Sequence, residues 1–251
     1  MRRIRPERVR SAVESQPVPA WGLLDCEHYF QSADDFIPIL DRASFLVPPL
    51  SRTSILMAPG SGKSTLVRLL AGIESPRGGL LVGRRGDAVM LNYAGHLHPA
   101  MTGEENVRNI ATIMGLDPQE VALQCQTFAE LDEQFRRPVI SYAATAKASL
   151  AFALNLQLPA KYLLVEDRLT LGDSRMRLKC KRALAEALQT KGLIMICSNP
   201  NVVRHVCDHH QVFKDGRFHA CSTYAQAVEI YRTTLVDAAG TSNQLDKYAL
   251  Q

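Results

Sequence analysis

The stretch Thr53-Ser54-Ile55-Leu56-Met57-Ala58-Pro59-Gly60-Ser61-Gly62-Lys63-Ser64-Thr65-Leu66-Val67-Arg68-Leu69-Leu70-Ala71 decides the fold. A β-prone run over residues 53–57 gives way to a glycine-bearing turn and then to a helical run. In such a strand-loop-helix unit the backbone N–H groups of residues 60–65 converge on phosphate oxygens at a helix N-terminus. Ala58-Pro59-Gly60-Ser61-Gly62-Lys63-Ser64-Thr65 fits the phosphate-binding loop pattern. There Lys63 reaches the β- and γ-phosphates and the Ser64 hydroxyl a Mg²⁺ ion. The pattern asks for glycine five residues before Gly62, and Met57 stands there. Met57 reads as a buried strand residue that narrows the loop's conformations, lacking glycine's freedom in φ. Pro59 has no N–H to give, so the cradle is built from the residues after it.

A second element strengthens the first. The apolar run Tyr162-Leu163-Leu164-Val165 leads straight into Glu166 and Asp167, then Leu171-Gly172-Asp173. Carboxylates at the end of a buried parallel strand face the same crevice as the loop. One of them can hold Mg²⁺ through water and the other can orient an attacking water. Together the two elements define a Mg-nucleotide pocket.

The rest of the chain alternates strand and helix patterns. Short strands and turns are expected over residues 21–48, strands at 78–83 and 87–93, and helical spacing over 104–136 with a break at 115–118. A helix over 145–156, a strand at 162–166, a helix near 175–189 and a strand at 193–197 follow. A hairpin, 211–214 with 217–220, turns at Asp215-Gly216, and a helix over 224–234 precedes a polar tail. This order predicts an α/β domain with a mostly parallel sheet and its ligand at the carboxyl ends of the strands.

Composition sets outer limits. The 251 residues, 46% hydrophobic and 22% charged, suit a folded domain rather than a disordered chain. A net charge of +4 is too small to argue for nucleic acid. No apolar run reaches the length of a membrane helix, and the Arg-rich start has no apolar run behind it, so a cytosolic protein is expected. Arg2, Arg3, Arg5, Arg8 and Arg10 read as a solvated basic tail, with anionic lipid headgroups as the other reading. Six cysteines without a Cys-x-x-Cys pair fit reduced thiols. The cluster His205, Cys207, Asp208, His209, His210 has ligand chemistry but not the spacing of a zinc site.

Residues 23–231 resemble the ATP-binding subunits of ABC transporters, most nearly the short ATPases of capsular polysaccharide export in Gram-negative bacteria. The matching segments are the loop itself, Leu69-Leu70-Ala71-Gly72-Ile73, Met101-Thr102-Gly103-Glu104-Glu105-Asn106-Val107, Leu150-Ala151-Phe152-Ala153-Leu154, Gly172-Asp173 and Lys179-Cys180. The resemblance implies a P-loop NTPase of ABC type: a mostly parallel sheet, an antiparallel β subdomain and a helical insert at about 96–158. The nucleotide-binding domain would span residues 21–234, between a basic tail at 1–20 and a polar tail at 235–251. Related O-antigen exporters carry a further C-terminal sugar-binding domain, for which this chain looks too short.

The resemblance also assigns roles and exposes departures. Glu166 takes the Mg²⁺ position and Asp167 the water-polarising one, in the reverse of the family's Asp-Glu order. The signature falls on Tyr142-Ala143-Ala144-Thr145-Ala146-Lys147, where the helix dipole survives but the serine hydroxyl is lost at Ala144, with Ser141 or Thr145 as substitutes. The Q-loop glutamine aligns with His98, the switch histidine with Asn199, the D-loop aspartate with Asp173, and the adenine-stacking aromatic with Phe30 or Tyr29. The implied cofactors are ATP and Mg²⁺. The implied partners are a polytopic membrane permease, docking near residues 97–115, and a second ATP-binding subunit in a homodimer or heterodimer. The implied place is the cytoplasmic face of the inner membrane, as a peripheral subunit. The expected function is an exporter ATPase with weakened hydrolysis; the alternative is a nucleotide-binding scaffold or regulatory subunit that hydrolyses poorly.

Overall fold

A computed structural model describes residues 20–31 and 36–245, without the side chains of 30–31 and 237–245. The Arg-rich start and the last residues of the chain lie outside the described residues.

The strand feeding the loop, β3 (Arg52–Leu56), is buried on both faces from its second residue onward, as a central parallel strand requires. Its neighbours are β7 (Gly192–Cys197) on one side and β8 (His209–Lys214) on the other, both parallel to it. The six-stranded sheet runs β5-β6-β7-β3-β8-β9, with β5 (Ala88–Met90), β6 (Tyr162–Glu166) and β9 (Arg217–Cys221). Only the β8–β9 hairpin, turning through Asp215 and Gly216 at positive φ, is antiparallel. The expected parallel sheet is thus the one observed.

A second, antiparallel sheet has the order β2-β1-β4, from β1 (Trp21–Gln31), β2 (Phe36–Val47) and β4 (Gly78–Val82). Where short strands and turns are expected, β1 and β2 form one long hairpin. Register shifts between Leu23 and Tyr29 let it bend without breaking. Helix α1 (Lys63–Leu70) is held between the two sheets: its Leu66, Leu69 and Leu70 join Phe45 and Val47 of β2 and Ile194 of β7 in one buried cluster. The loop is therefore anchored at both ends, by a central strand and by a helix buried on two sides.

The helical insert comprises α2 (Gly103–Ile113), α3 (Pro118–Ala129) and α4 (Ala144–Gln157). Thr102 and Glu105 close a capping box at the start of α2, and Asp117 caps α3 with Pro118 at its first position. Gly115, at positive φ, makes the break between them. The insert is tied to the sheet domain by Lys179 of α5 (Ser174–Ala187). Its Nζ donates to the carbonyls of Thr127 and Phe128 at the end of α3 and to Glu130 Oε1. On the far face of the main sheet, α5, the short α6 (Pro200–Val203) and α7 (Tyr224–Leu245) cover a second buried cluster. Helix α7 runs on to Leu245, well past residue 234 where a polar tail is expected.

Candidate functional site

Strands β6, β7 and β3 lie side by side, so their carboxyl ends deliver Glu166, Ser198 and the loop to one edge of the sheet. Gly60 and Gly62 both take left-handed backbone (φ +78° and +90°). At Gly62 a Cβ would also stand 2.8 Å from Ile39 Cγ2, so glycine is required there twice over. Met57 is not among the positive-φ residues. Its N–H donates to Cys197 O at 3.0 Å and its side chain is buried, so a side chain costs the loop nothing at this position.

Helix α1 begins at Lys63, and its first closing bond is Leu66 N–H to Gly62 O at 2.9 Å. Among the described residues the N–H groups of Gly62, Lys63, Ser64 and Thr65 have no protein acceptor. That is the usual condition of a helix start and the chemistry of an anion cradle. The loop is braced from within by Ser61, whose hydroxyl donates to Ala58 O at 2.7 Å. Ala58 is buried, whereas Pro59 is exposed.

Facing the loop, Ser64 Oγ donates to Glu166 Oε1 at 2.9 Å, an oxygen pair of the kind hard divalent cations take. Lys63 Nζ donates to both Asp167 oxygens, at 2.9 and 2.7 Å, and to Ser198 Oγ at 3.2 Å. Asp167 sits at φ +54°, turning the chain sharply as it leaves β6. It accepts further bonds from Ser198 N (3.1 Å) and Ser198 Oγ (3.3 Å). Burial pushes the Asp167 carboxyl up, but the Lys63 ammonium and the Ser198 amide pull harder and hold it below the usual carboxylate range. Both acids therefore do face the loop, each bound to a different loop residue.

Ser198 is the member of this group that sequence reading missed. It immediately precedes Asn199, and its place beside the loop depends on β7 pairing with β3. Behind it, the hydroxyl of buried Tyr231 lies 2.8 Å from Ser198 O and 3.3 Å from Met57 O, so its single proton bridges the two loops.

The other expected positions are more dispersed. Asn199 is exposed, and its side-chain oxygen caps α6 by accepting from Asn201 N at 3.0 Å. His98 is exposed; its N–H donates to Oδ1 of buried Asn106, which also holds the carbonyls of His98, Met101 and Thr102. Thr145 is exposed in the first turn of α4, whose N-cap, Ala143, supplies no side-chain bond. Asp173 caps α5, accepting from Met176 N at 2.9 Å. Tyr29 pairs with Pro38, one residue before the Ile39 that approaches Gly62, and its ring packs edge-on against Phe36 with centroids 5.0 Å apart. The Arg77 guanidinium lies over the Tyr29 ring, 5.3 Å from its centroid. The Phe30 side chain lies outside the described residues.

No helix among the described residues is long and apolar enough to cross a membrane, and no group of three potential metal-ligating His, Cys, Asp or Glu residues occurs among them. In the cluster at 205–210, His210 Nδ1 is 2.8 Å from Ser54 Oγ.

No protein-family model matches the chain. It is 32% identical over 175 residues to ATP-binding protein BexA of Haemophilus influenzae, covering 70% of this chain and 81% of that protein. It is 30% identical over 195 residues to the capsule polysaccharide export ATP-binding protein CtrD of Neisseria meningitidis, covering 78% and 90%. Among solved structures, the ATP-binding cassette MJ0796, a dimer in a post-hydrolysis state bound to ADP and Pi, superposes with a TM-score of 0.66 at 20% identity, over 80% of this chain and 98% of that one. The fold likeness and the two sequence relationships agree with the loop, the facing acids and the helical insert: this chain belongs to the ABC family of ATP-binding proteins, in the group that includes BexA and CtrD.

Proposed function

We propose that this chain is the ATP-binding subunit of an exporter of capsular or other surface polysaccharide, coupling Mg-ATP binding and slow hydrolysis to transport. The observation that carries this reading is the pairing of Ser64 with Glu166 and of Lys63 with Asp167 across the cleft. The name of CtrD, a capsule polysaccharide export protein, supports transport over a purely regulatory scaffold. The subunit would sit on the cytoplasmic face of the inner membrane against a polytopic permease. A second ATP-binding subunit would pair with it, as cassettes do in the dimer of MJ0796.

The residues present suit the cofactor. The partnerless amides of residues 62–65 would hold the phosphates, and Ser64 with Glu166 would hold the metal. Bound Mg²⁺ supplies positive charge to the phosphate oxygens during phosphoryl transfer. Lys63 must leave Asp167 to meet the phosphates, which frees the Asp167 carboxylate to accept a proton from a water molecule. Ser198 remains bonded to that carboxylate through its amide and keeps it aimed. Asp167 is one methylene shorter than glutamate, and a displacement of about 1 Å is enough to slow the step by on the order of 10²-fold. Tyr29 or Phe30 would stack on the base, the first turn of α4 at Thr145 and the loop at Asp173 would serve the partner's nucleotide, and Asn199 and His98 would sense the γ-phosphate.

Mg-ATP affinity and single-turnover phosphate release, measured for the wild type and for Lys63→Ala, test this reading. Affinity falls and release disappears in the variant if it is right. Release unchanged by Lys63→Ala overturns the site, and tight binding with no release in the wild type overturns the hydrolytic part.

A further inference from the structure

Behind the nucleotide cleft, a cavity of about 750 Å³ opens between α5 and the α6 segment, along the edge of the turn that follows Asp167. Its volume falls in the range of small-molecule sites. Nothing in the phosphate-loop reading uses it, apart from Asp167 at its border.

Its lining is divided. At the end nearer Asp167 stand Arg168, Arg177 and Lys181; at the other are Arg52 and His205, from the start of β3 and the end of the α6 segment. Between them the walls are apolar: Leu171, Leu184, Leu188 and Val206. Helix geometry produces this gradient, because Arg177, Lys181, Leu184 and Leu188 follow one another at intervals of three and four on one stripe of α5. The turn adds Arg168. Asp167 at φ +54° reverses the chain, Arg168 N–H donates back to Glu166 O, and Asn92 Nδ2 fixes Arg168 O at 2.6 Å.

The charges are not matched internally. Among the described residues the side chains of Arg52, Arg168 and Lys181 have no ion-pair or hydrogen-bond partner, and Arg177 donates only to Gly172 O at 3.3 Å. Among the described residues Asp167 is the only carboxylate in the lining, and it is already engaged by Lys63. A groove whose lining carries several cations and one engaged carboxylate has a positive field that favours an entering anion. Guanidinium groups beside an ammonium suit a phosphate head, while the apolar walls suit a short aliphatic body.

We propose that this groove binds an amphiphilic anion, a phosphomonoester head carried on a short aliphatic chain, at a site separate from the nucleotide cleft. The head is held by Arg168, Arg177 and Lys181, and the chain lies along Leu184 and Leu188.

The test is calorimetric titration of octyl phosphate, below its aggregation concentration, into the full chain saturated with Mg-ATP, and into Lys63→Ala, in which the loop is disabled. One saturable site per chain is expected in both. Arg177→Gln with Lys181→Gln, exposed positions on a helix surface, weakens it by at least about tenfold, as loss of charged hydrogen bonds does, and leaves Mg-ATP affinity unchanged. Inorganic phosphate binds at least about tenfold more weakly than octyl phosphate, for want of the buried chain. A Leu188→Glu variant reads the apolar wall independently and also weakens octyl phosphate. No saturable binding, displacement by Mg-ATP, equal affinity for inorganic phosphate, or indifference to the paired substitution each overturns the proposal. Because the Lys63→Ala arm needs no functional loop, failure here is distinguishable from failure of the nucleotide site.

Discussion

Removing the charge of Asp167 with Asp167→Asn tightens nucleotide binding while slowing turnover. In the resting cleft Lys63 Nζ is already bound to a carboxylate 2.7 Å away, so a triphosphate must displace an internal anion before it gains the ammonium. Two unit charges at that distance interact by about 1.5 kcal/mol at the dielectric of water and about 6 kcal/mol at an effective constant of 20. Asp167 is 42% exposed and Lys63 13%, so solvent screening and the desolvation already incurred reduce the net to about 1 kcal/mol. Asparagine keeps an acceptor for the Ser198 amide, so the turn persists while the charge is lost. Titration of a fluorescent ATP analogue with Mg²⁺ is expected to show Kd lowered by about fivefold. The difference shrinks as salt is raised from about 0.05 to 0.5 M, since a half-exposed pair is screened. Single-turnover hydrolysis falls by about 10²-fold or more, the usual contribution of a general base. Glu166→Gln is the control: it removes a charge from the same cleft without touching Lys63 and does not tighten binding. An Asp167→Asn variant that binds no better than the wild type, or a Glu166→Gln variant that gains as much, refutes the reasoning.

Other outcomes follow from the same geometry. Tyr231→Phe removes the hydroxyl shared by Ser198 O and Met57 O and lowers stability to urea by about 1–2 kcal/mol, the cost of leaving buried carbonyls unmet; an unchanged midpoint contradicts it. Gly62→Ala places a side chain at φ +90° against Ile39 and costs about 1–2 kcal/mol in left-handed strain before any steric cost, whereas Gly60→Ala bears only the strain, no described residue standing near its Cβ. Thermal melts of the two variants should rank in that order. Burial holds the imidazoles of His28, His96 and His210 below their ordinary range. The unfolded chain then binds protons more readily than the folded one. The stability these groups contribute is present above about pH 6.5 and is lost as pH falls through their folded values. The urea midpoint should decline between about pH 7 and 5; a flat profile rejects this. Asp167, held low by Lys63, adds a further loss only below about pH 4.

Much of this protein was legible in its sequence because the signals were local. The strand-loop-helix around Gly60, Gly62 and Lys63, the acids ending β6, the capping box at Thr102 and Glu105, and the Asp215-Gly216 hairpin each depend on residues a few positions apart. Hydrophobic period and turn chemistry report such units directly. Met57, the departure from the loop pattern, proved harmless because positive φ is used at Gly60 and Gly62 and not at Met57. The long bulged hairpin β1–β2 was not legible, since its strands are stabilised by surfaces from elsewhere in the chain.

The sequence by itself determined the strand-turn-helix that presents Lys63 and Ser64 behind Gly60 and Gly62, because a glycine turn between a β-prone run and a helical run is a local signal. Only the tertiary structure decided what those residues hold in the resting cleft. Lys63 meets Asp167 and Ser198, more than a hundred positions away along the chain, because β6, β7 and β3 are neighbours in that order. No local pattern encodes that order: it is set by which buried faces pair most completely across the whole domain. The same is true of the basic groove behind the cleft, where a stripe of α5 acquires meaning only once the α6 segment forms the opposite wall.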